Sequence, residues 1–504
     1  MRFSVLYVLG LVLSLLPVTP VVAKPVEIKS ENFILIGDIS PSAGKHLLTE
    51  MEKYRFAIMD LYGVRSLPEP IPVRIYTAMG ARELKDMSGL SGIGGVYTSN
   101  IEGPIFMLNA KGGFGHGKSG RKIAIHEYTH HLVAAYTDQY YPRWYGEGHA
   151  DYLSTFKVDK KGKMVMGLAE QSHGYPLALN KWIPAKTVFG AINKYPFVLG
   201  SNTGNKIGTV DFFYAQSWLA VHYIQSHPEY TKNMSKYIDL LNSEQRPDNV
   251  FETAFGISMD DFQLKLKDYF VKNNYKAFAI EPTKLSIVKP LKVRYLSKGE
   301  FAFHKAEAMR YYRGSAISTQ KMIDQYRTAS KRLGETPYIL AGLAELATWK
   351  DDFDAATAYI NKALLQAPDD PKVNHMAGMI LVYKNEEQST NESKNELRQA
   401  RRYLKKAMIA NPDNISAHFY YAKSFGLTNQ RPNAQGLASA ETALEYYRGN
   451  RFLDSNLMLV DVLIRGGKTE MVRPAIQRAI VWGTNGATIG RAIELRGYLD
   501  SKVR

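Results

Sequence analysis

Apolar and polar residues alternate through NFILIGD (Asn32–Asp38), as in a strand with one buried face. The alternation returns in IPVRIYTA (Ile71–Ala78), GGVYTS (Gly94–Ser99) and PIFMLNA (Pro104–Ala110). Between the first two, Ala43–Tyr62 places its apolar residues at the three-to-four spacing of a helix face. After the fourth strand the pattern turns helical, over Gly120–Tyr136, Tyr145–Phe156, Val210–Gln225, Tyr230–Leu241 and Ser258–Asn273. Strands first and helices afterwards predict an α+β domain over residues 27–280.

A proline-bearing stretch, residues 281–299, reads as a linker, and from residue 300 to Arg504 the chain reads as helix throughout. The helices recur. Leu340, Leu343, Ala344, Ala356, Ile360, Ala363 and Pro368 stand at the spacing of one tetratricopeptide (TPR) unit, in which small residues let two helices approach and proline ends the second. A second unit starts at Pro371, with Ala377 and Gly378 in its first helix. Its second helix carries Ala400, Leu404 and Ala407, with Pro412 after it, once a polar insertion around NEEQSTNESK is allowed. A looser third unit begins near Ile415, with Tyr421 and Ala422. The expectation is an all-α TPR-like solenoid offering a surface to a protein partner.

The start of the chain suggests a compartment. Met1–Ala23 carries Arg2, a short apolar run broken by Pro17 and Pro20, and small residues at Val21 and Ala23, the pattern of a signal peptide removed before Lys24. No later stretch is apolar for long enough to span a bilayer, so a periplasmic or secreted protein without a transmembrane segment is expected. The absence of cysteine excludes a lipobox attachment and any disulfide. Lys and Arg outnumber Asp and Glu by 64 to 48, a formal charge of +16. Such a balance draws anionic surfaces, but the basic residues are thinly spread and form no recognisable nucleic-acid module, so no nucleic-acid partner is expected.

Candidate chemistry is concentrated in GGFGHGKSGRKIAIHEYTHHL (Gly112–Leu132), where two patterns overlap. Gly112–Ser119 fits the phosphate loop G-x-x-x-x-G-K-[ST], but the alternating β-α units of a nucleotide-binding sheet are missing, and no second strand is placed to supply a magnesium-binding aspartate. A connecting loop is the simpler account. His126–His130 fits H-E-x-x-H, and its helical context is present independently. His126 and His130 lie one turn apart on one face and can share a Zn²⁺ ion, while Glu127 beside them can take a proton from the attacking water and pass it to the leaving amine.

A third ligand is needed, and PRWYGEGHADY supplies Glu147, separated from His130 by sixteen residues. One turn further on, Asp151 can accept a hydrogen bond from a ligand histidine and fix its tautomer. Trp144, Glu147, Gly148, Ala150 and Tyr152 match W-x-x-E-G-x-A-x-[YF]. In this stretch the chain resembles the gluzincin metallopeptidases, the thermolysin-like and aminopeptidase-like superfamily. The resemblance runs roughly from Asn32 to Tyr269 and is nearest to bacterial peptidase-MA-like proteins that carry TPR units. It implies a zincin-like fold, with zinc held by His126, His130 and Glu147 and Glu127 as the base. It also makes Tyr214 a candidate to stabilise the oxyanion, the alternative being an ordinary aromatic packed over the catalytic pair. His131 and His149 point away from the ligand faces and read as structural.

The expected protein is thus an exported zinc-dependent metallopeptidase with an appended helical-repeat domain. Its peptide substrate is expected to add as a strand along GGVYTS or PIFMLNA. The rival expectation is a TPR-based scaffold of the cell envelope whose zinc domain has weak or no activity.

Overall fold

The structure is a computed structural model. It describes residues 24–503 except 65–68, 115–117, 138, 160–162, 180–181, 191–208, 281–288, 290, 315, 387–390, 429, 448–452 and 484. The expected signal peptide, the centre of the glycine-rich loop, most of the 281–290 stretch and part of the polar insertion lie outside the described residues.

Alternation along the strands supplies two apolar faces, and the chain covers both. In order come β1 (Val26–Lys29), β2 (Phe33–Gly37), α1 (Pro41–Leu61), β3 (Val73–Ala78), α2 (Ala81–Ser88), β4 (Gly95–Asn100), β5 (Gly103–Asn109) and α3 (Ser119–Tyr136). Leu35, Ile75, Phe106 and Leu108 turn to one side and pack with Leu47 and Met51 of α1 and Ala124, Ile125 and Tyr128 of α3. Their neighbours Ile36, Tyr76, Ile105 and Met107 turn to the other side, against Leu84 and Met87 of α2. Each strand therefore has its register fixed from both sides.

Next come α4 (Arg143–Ser154), β6 (Lys157–Val158), β7 (Met164–Met166), α5 (Gln171–Ala178), α6 (Ala185–Phe189), α7 (Thr209–Ser226), α8 (Pro228–Leu241), α9 (Val250–Phe255), α10 (Met259–Lys272), β8 (Phe278–Ile280) and β9 (Lys292–Tyr295). The main sheet has the order β4-β5-β3-β2-β1-β9, while β6, β7 and β8 form a separate small sheet. The central pairs β2–β3 and β3–β5 are parallel, whereas β4 runs antiparallel to β5. One difference from the expected layout concerns residues 281–299. Lys292–Tyr295 is an edge strand hydrogen-bonded to β1, with Val26 opposite Tyr295. Four residues are too few for periodicity to reveal.

The remaining chain is helical: α11 (Lys298–Tyr312), α12 (Thr319–Leu333), α13 (Pro337–Thr348), α14 (Phe353–Gln366), α15 (Pro371–Lys384), α16 (Asn391–Ala410), α17 (Ile415–Gly426), α18 (Ala434–Tyr446), α19 (Leu453–Arg465), α20 (Thr469–Trp482) and α21 (Gly486–Val503). Each helix packs on its sequence neighbour. The odd-numbered helices also touch one another in series, which makes residues 298–503 a helical-repeat array. Gly378 explains how closely two of them approach, because a Cβ there would come within 2.5 Å of Leu404 Cγ and 3.0 Å of the Ala400 carbonyl oxygen. No described helix is long and apolar enough to cross a membrane.

The array closes onto the tip of the β4–β5 hairpin. Glu102, at that tip, is buried against two guanidinium groups of the array. Arg310 Nη1 lies 3.2 and 3.3 Å from its carboxylate oxygens and Arg313 Nη2 lies 2.9 Å away. Both arginines also bind Glu345 of α13. Burial alone would raise the Glu102 pKa, but Arg310 and Arg313 outweigh it and hold the carboxyl down at about 2. Beside it, the Asn100 side-chain amide donates to the Tyr311 carbonyl, and the Tyr447 hydroxyl donates to the Ile101 carbonyl at 2.5 Å. Farther along, Trp482 Nε1 donates to Asn242 Oδ1 at 2.6 Å and Arg496 pairs with Glu244 at 2.7 Å. Part of the surface that a repeat array offers to a partner is thus taken up by this chain's own hairpin.

Candidate metal centre

Helix α3 buries Arg121, Ala124, Ile125, Tyr128, Thr129, His131 and Leu132, leaving a half-exposed stripe that contains His126, Glu127 and His130. Polar anchors fix its rotation. Arg121 Nη2 donates to Glu50 at 3.0 Å and to the Phe156 carbonyl at 2.6 Å, and Thr129 shares a hydrogen bond with Tyr54 at 2.6 Å. His131 is held between Glu69, 3.2 Å from its Nε2, and the Tyr97 hydroxyl, 2.9 Å from its Nδ1. Since Tyr97 belongs to β4, this histidine ties the edge strand to the helix that carries the H-E-x-x-H residues.

Glu147 arrives on α4, which packs against α7 so tightly that position 148 has no room for a side chain. A Cβ at Gly148 would stand 2.2 Å from the Ser217 carbonyl oxygen. That close approach accounts for glycine directly after the acid. On the other side of Glu147, Trp144 is fully buried against Phe189 and Tyr237 and pins the start of the helix.

The structure brings His126, His130 and Glu147 together as a group that could hold a metal ion. Nε2 of His126 lies 3.2 Å from Nε2 of His130, and Glu147 Oε2 lies 3.2 and 3.3 Å from these two nitrogens. Donors bound to one zinc ion at about 2.0–2.1 Å in a tetrahedral array are about 3.3–3.4 Å apart. The three atoms therefore match one face of such a tetrahedron, and the donor set of two imidazoles and a carboxylate suits zinc. His130 is the most exposed of the three side chains, at 27% against 13% for His126 and 6% for Glu147, so the group opens on its side.

Asp151 organises the ring behind these donors. His126 Nδ1 lies 2.8 Å from Asp151 Oδ1, and His173 Nε2, from α5, lies 2.8 Å from Asp151 Oδ2. A carboxylate accepting from Nδ1–H leaves Nε2 of His126 as the atom facing the other donors. Burial would raise the Asp151 pKa, but His173 and His126 hold it well below the usual range. Glu147 behaves likewise, with His130 and His126 overcoming burial. Glu127 differs, because burial raises its pKa despite the neighbouring imidazoles, as suits a group that must accept and then release a proton. Asp151→Ala is expected to weaken divalent-metal binding about 10- to 100-fold, as loss of such an outer partner typically does. A chelator competition would measure it, and unchanged affinity would remove Asp151 from the site.

Tyr214 of α7 has its ring centroid 6.2 Å from that of His126, tilted by 36°. His149 lies outside the donor group, its Nε2 2.7 Å from the Tyr62 hydroxyl, with its pKa pushed down to about 4 by burial and by His130. His173 escaped the sequence reading, since SHGYPL carries no motif. Of the phosphate-loop stretch, β5 ends before it and Ser119 opens α3, while Gly115–Gly117 lie outside the described residues.

No family model matches the chain, and no curated protein matches it. Among solved structures, a thermophilic TPR protein in Thermus thermophilus is similar over 37% of this chain and 90% of its own, at 17% identity and a TM-score of 0.28.

Proposed function

We propose that the protein is an exported zinc-dependent peptidase of zincin-like fold. The observation that carries this is the triangle of His126 Nε2, His130 Nε2 and Glu147 Oε2, with Asp151 behind it and Glu127 beside it. Zinc, when bound by these three, would polarise the scissile carbonyl as a Lewis acid. Glu127 accepts a proton from the attacking water and returns it to the leaving nitrogen. Tyr214, next to His126, is the proposed donor to the oxygen on which negative charge develops. Of the two strands expected to receive substrate, β5 lies between β4 and β3, so β4 is the one with an open edge, and an extended peptide would pair there. Export is supported by the pattern of residues 1–23 alone.

Metal analysis of the purified mature chain tests this proposal. One zinc per chain is expected, together with peptide hydrolysis that stops on chelation by 1,10-phenanthroline and returns with added zinc. Hydrolysis indifferent to the chelator, or a chain that takes up no zinc, would overturn it. The eleven helices from α11 to α21 favour a second reading, a binding scaffold. A zinc-loaded chain that cleaves nothing in a proteome-derived peptide library, yet holds a protein partner through residues 298–503, would favour that reading instead.

A further inference from the structure

Asp151 lies one turn beyond Glu147 on α4 and is buried, yet both of its carboxylate oxygens are engaged. Oδ1 takes Nδ1 of His126 and Oδ2 takes Nε2 of His173, each at 2.8 Å. An ionised carboxylate can only accept, so both ring nitrogens are donors. One such bond would not fix the group, because the carboxylate torsion of aspartate has broad wells. Two bonds on different oxygens, from α3 and from α5, hold it in one orientation. His173 is itself located by protein contacts. Its ring lies 5.6 Å from that of Trp218 on α7, tilted by 37°, and only 9% of the residue is exposed. The start of α5 is tied back to α3, since the Glu170 carboxylate accepts from the Ser172 amide at 3.1 Å and pairs with Lys122 at 3.1 Å. Lys122 stands one turn before His126, on the same stripe of α3. The W-x-x-E-G-x-A-x-[YF] stretch does not contain His173, which follows it beyond β6 and β7.

We infer that His173 is a positioning residue of the metal centre, its Nε2–H locking the Asp151 carboxylate so that the His126 ring keeps Nε2 turned toward His130 and Glu147. The inference rests on the metal reading of the proposed function and deepens it, since the donor triangle is then set by a chain of hydrogen bonds that begins on α5. His173 acts on the donors through Asp151, whereas its contact with Trp218 is ring packing that a phenylalanine reproduces.

Two substitutions in the full chain separate the hydrogen bond from the packing. His173→Phe keeps a ring on Trp218 and removes the donor, while His173→Gln removes the ring and keeps an N–H at the place of Nε2. Zinc affinity, measured by competition with a chromophoric chelator, should fall about 10-fold in His173→Phe, the lower end of the range for outer partners of a metal ligand. In His173→Gln it should stay close to the wild type. In an Asp151→Ala background, adding His173→Phe should cost no further affinity, because the residue acts through Asp151. Wild-type affinity in His173→Phe, an equal loss in both variants, or an additive loss on top of Asp151→Ala would overturn the assignment while leaving the zinc site standing. If His173→Phe does not fold, His173→Gln decides alone: affinity close to the wild type upholds the assignment, and a loss as large as that expected for His173→Phe overturns it. A wild-type chain that takes up no zinc would instead bring down the metal reading, and the role of His173 with it.

Discussion

Glu127→Gln is expected to retain zinc and lose peptide hydrolysis by about 10²–10⁴-fold, the range for removing a positioned general base. The substitution changes little but charge and basicity. Glu127 is not one of the three converging donors, so metal content should be unaffected. Its partial burial raises its pKa against the pull of His126 and His130. A base poised in this way has the proton affinity to take a proton from water and the acidity to give it up, whereas an amide can do neither. The comparison to make is kcat/KM on one peptide at matched zinc content. A variant as active as the wild type would remove Glu127 from the reaction, and loss of zinc together with activity would assign it a structural role instead.

Ending the chain after Ser297 is expected to destroy the fold of what remains, and with it any metal binding. A boundary at residues 281–299 invites the opposite expectation, an autonomous peptidase. The difference lies in what α11 covers. Ala308 and Tyr311 complete the apolar cluster of Tyr76, Ile105 and Met107, so truncation uncovers the part of that sheet face that α2 does not cover. Glu102 also loses Arg310 and Arg313. Breaking a buried ion pair typically costs about 3–5 kcal/mol, against a total stability of about 5–15 kcal/mol for a domain. Circular dichroism melting and zinc titration of the fragment would decide. A fragment that melts cooperatively and binds zinc as tightly as the full chain would refute the expectation.

How far the sequence could be read depended on the length over which each signal acts. Period-two alternation in NFILIGD and IPVRIYTA, and one-turn spacing between His126 and His130, are local, and the corresponding strands and helix are present. Glu147 was reachable because glycine follows it for a reason visible in a motif, the contact of α4 with α7. His173 and the Glu102 cluster are different in kind. His173, on α5, meets Asp151, on α4, across the intervening β6 and β7, and Glu102 meets Arg310 across 208 positions. Nothing near Glu102 announces that it is buried, and nothing near Arg310 or Arg313 names a partner so far back in the chain. Periodicity in β9 spans only four residues, and its pairing with β1 depends on a partner near the other end of the domain.

The separation of Glu102 from Arg310 also sets an order of events during synthesis. A chain leaves the ribosome N-terminus first, at about 5–20 residues per second. His126, Glu127, His130 and Glu147 have all emerged long before Arg310 and Arg313, and during that interval the hairpin tip carries an acid without its guanidinium partners. The three converging donors are therefore made well before the residues that hold the β4–β5 hairpin, which stays without its arginine partners until the last turn of α11 has followed.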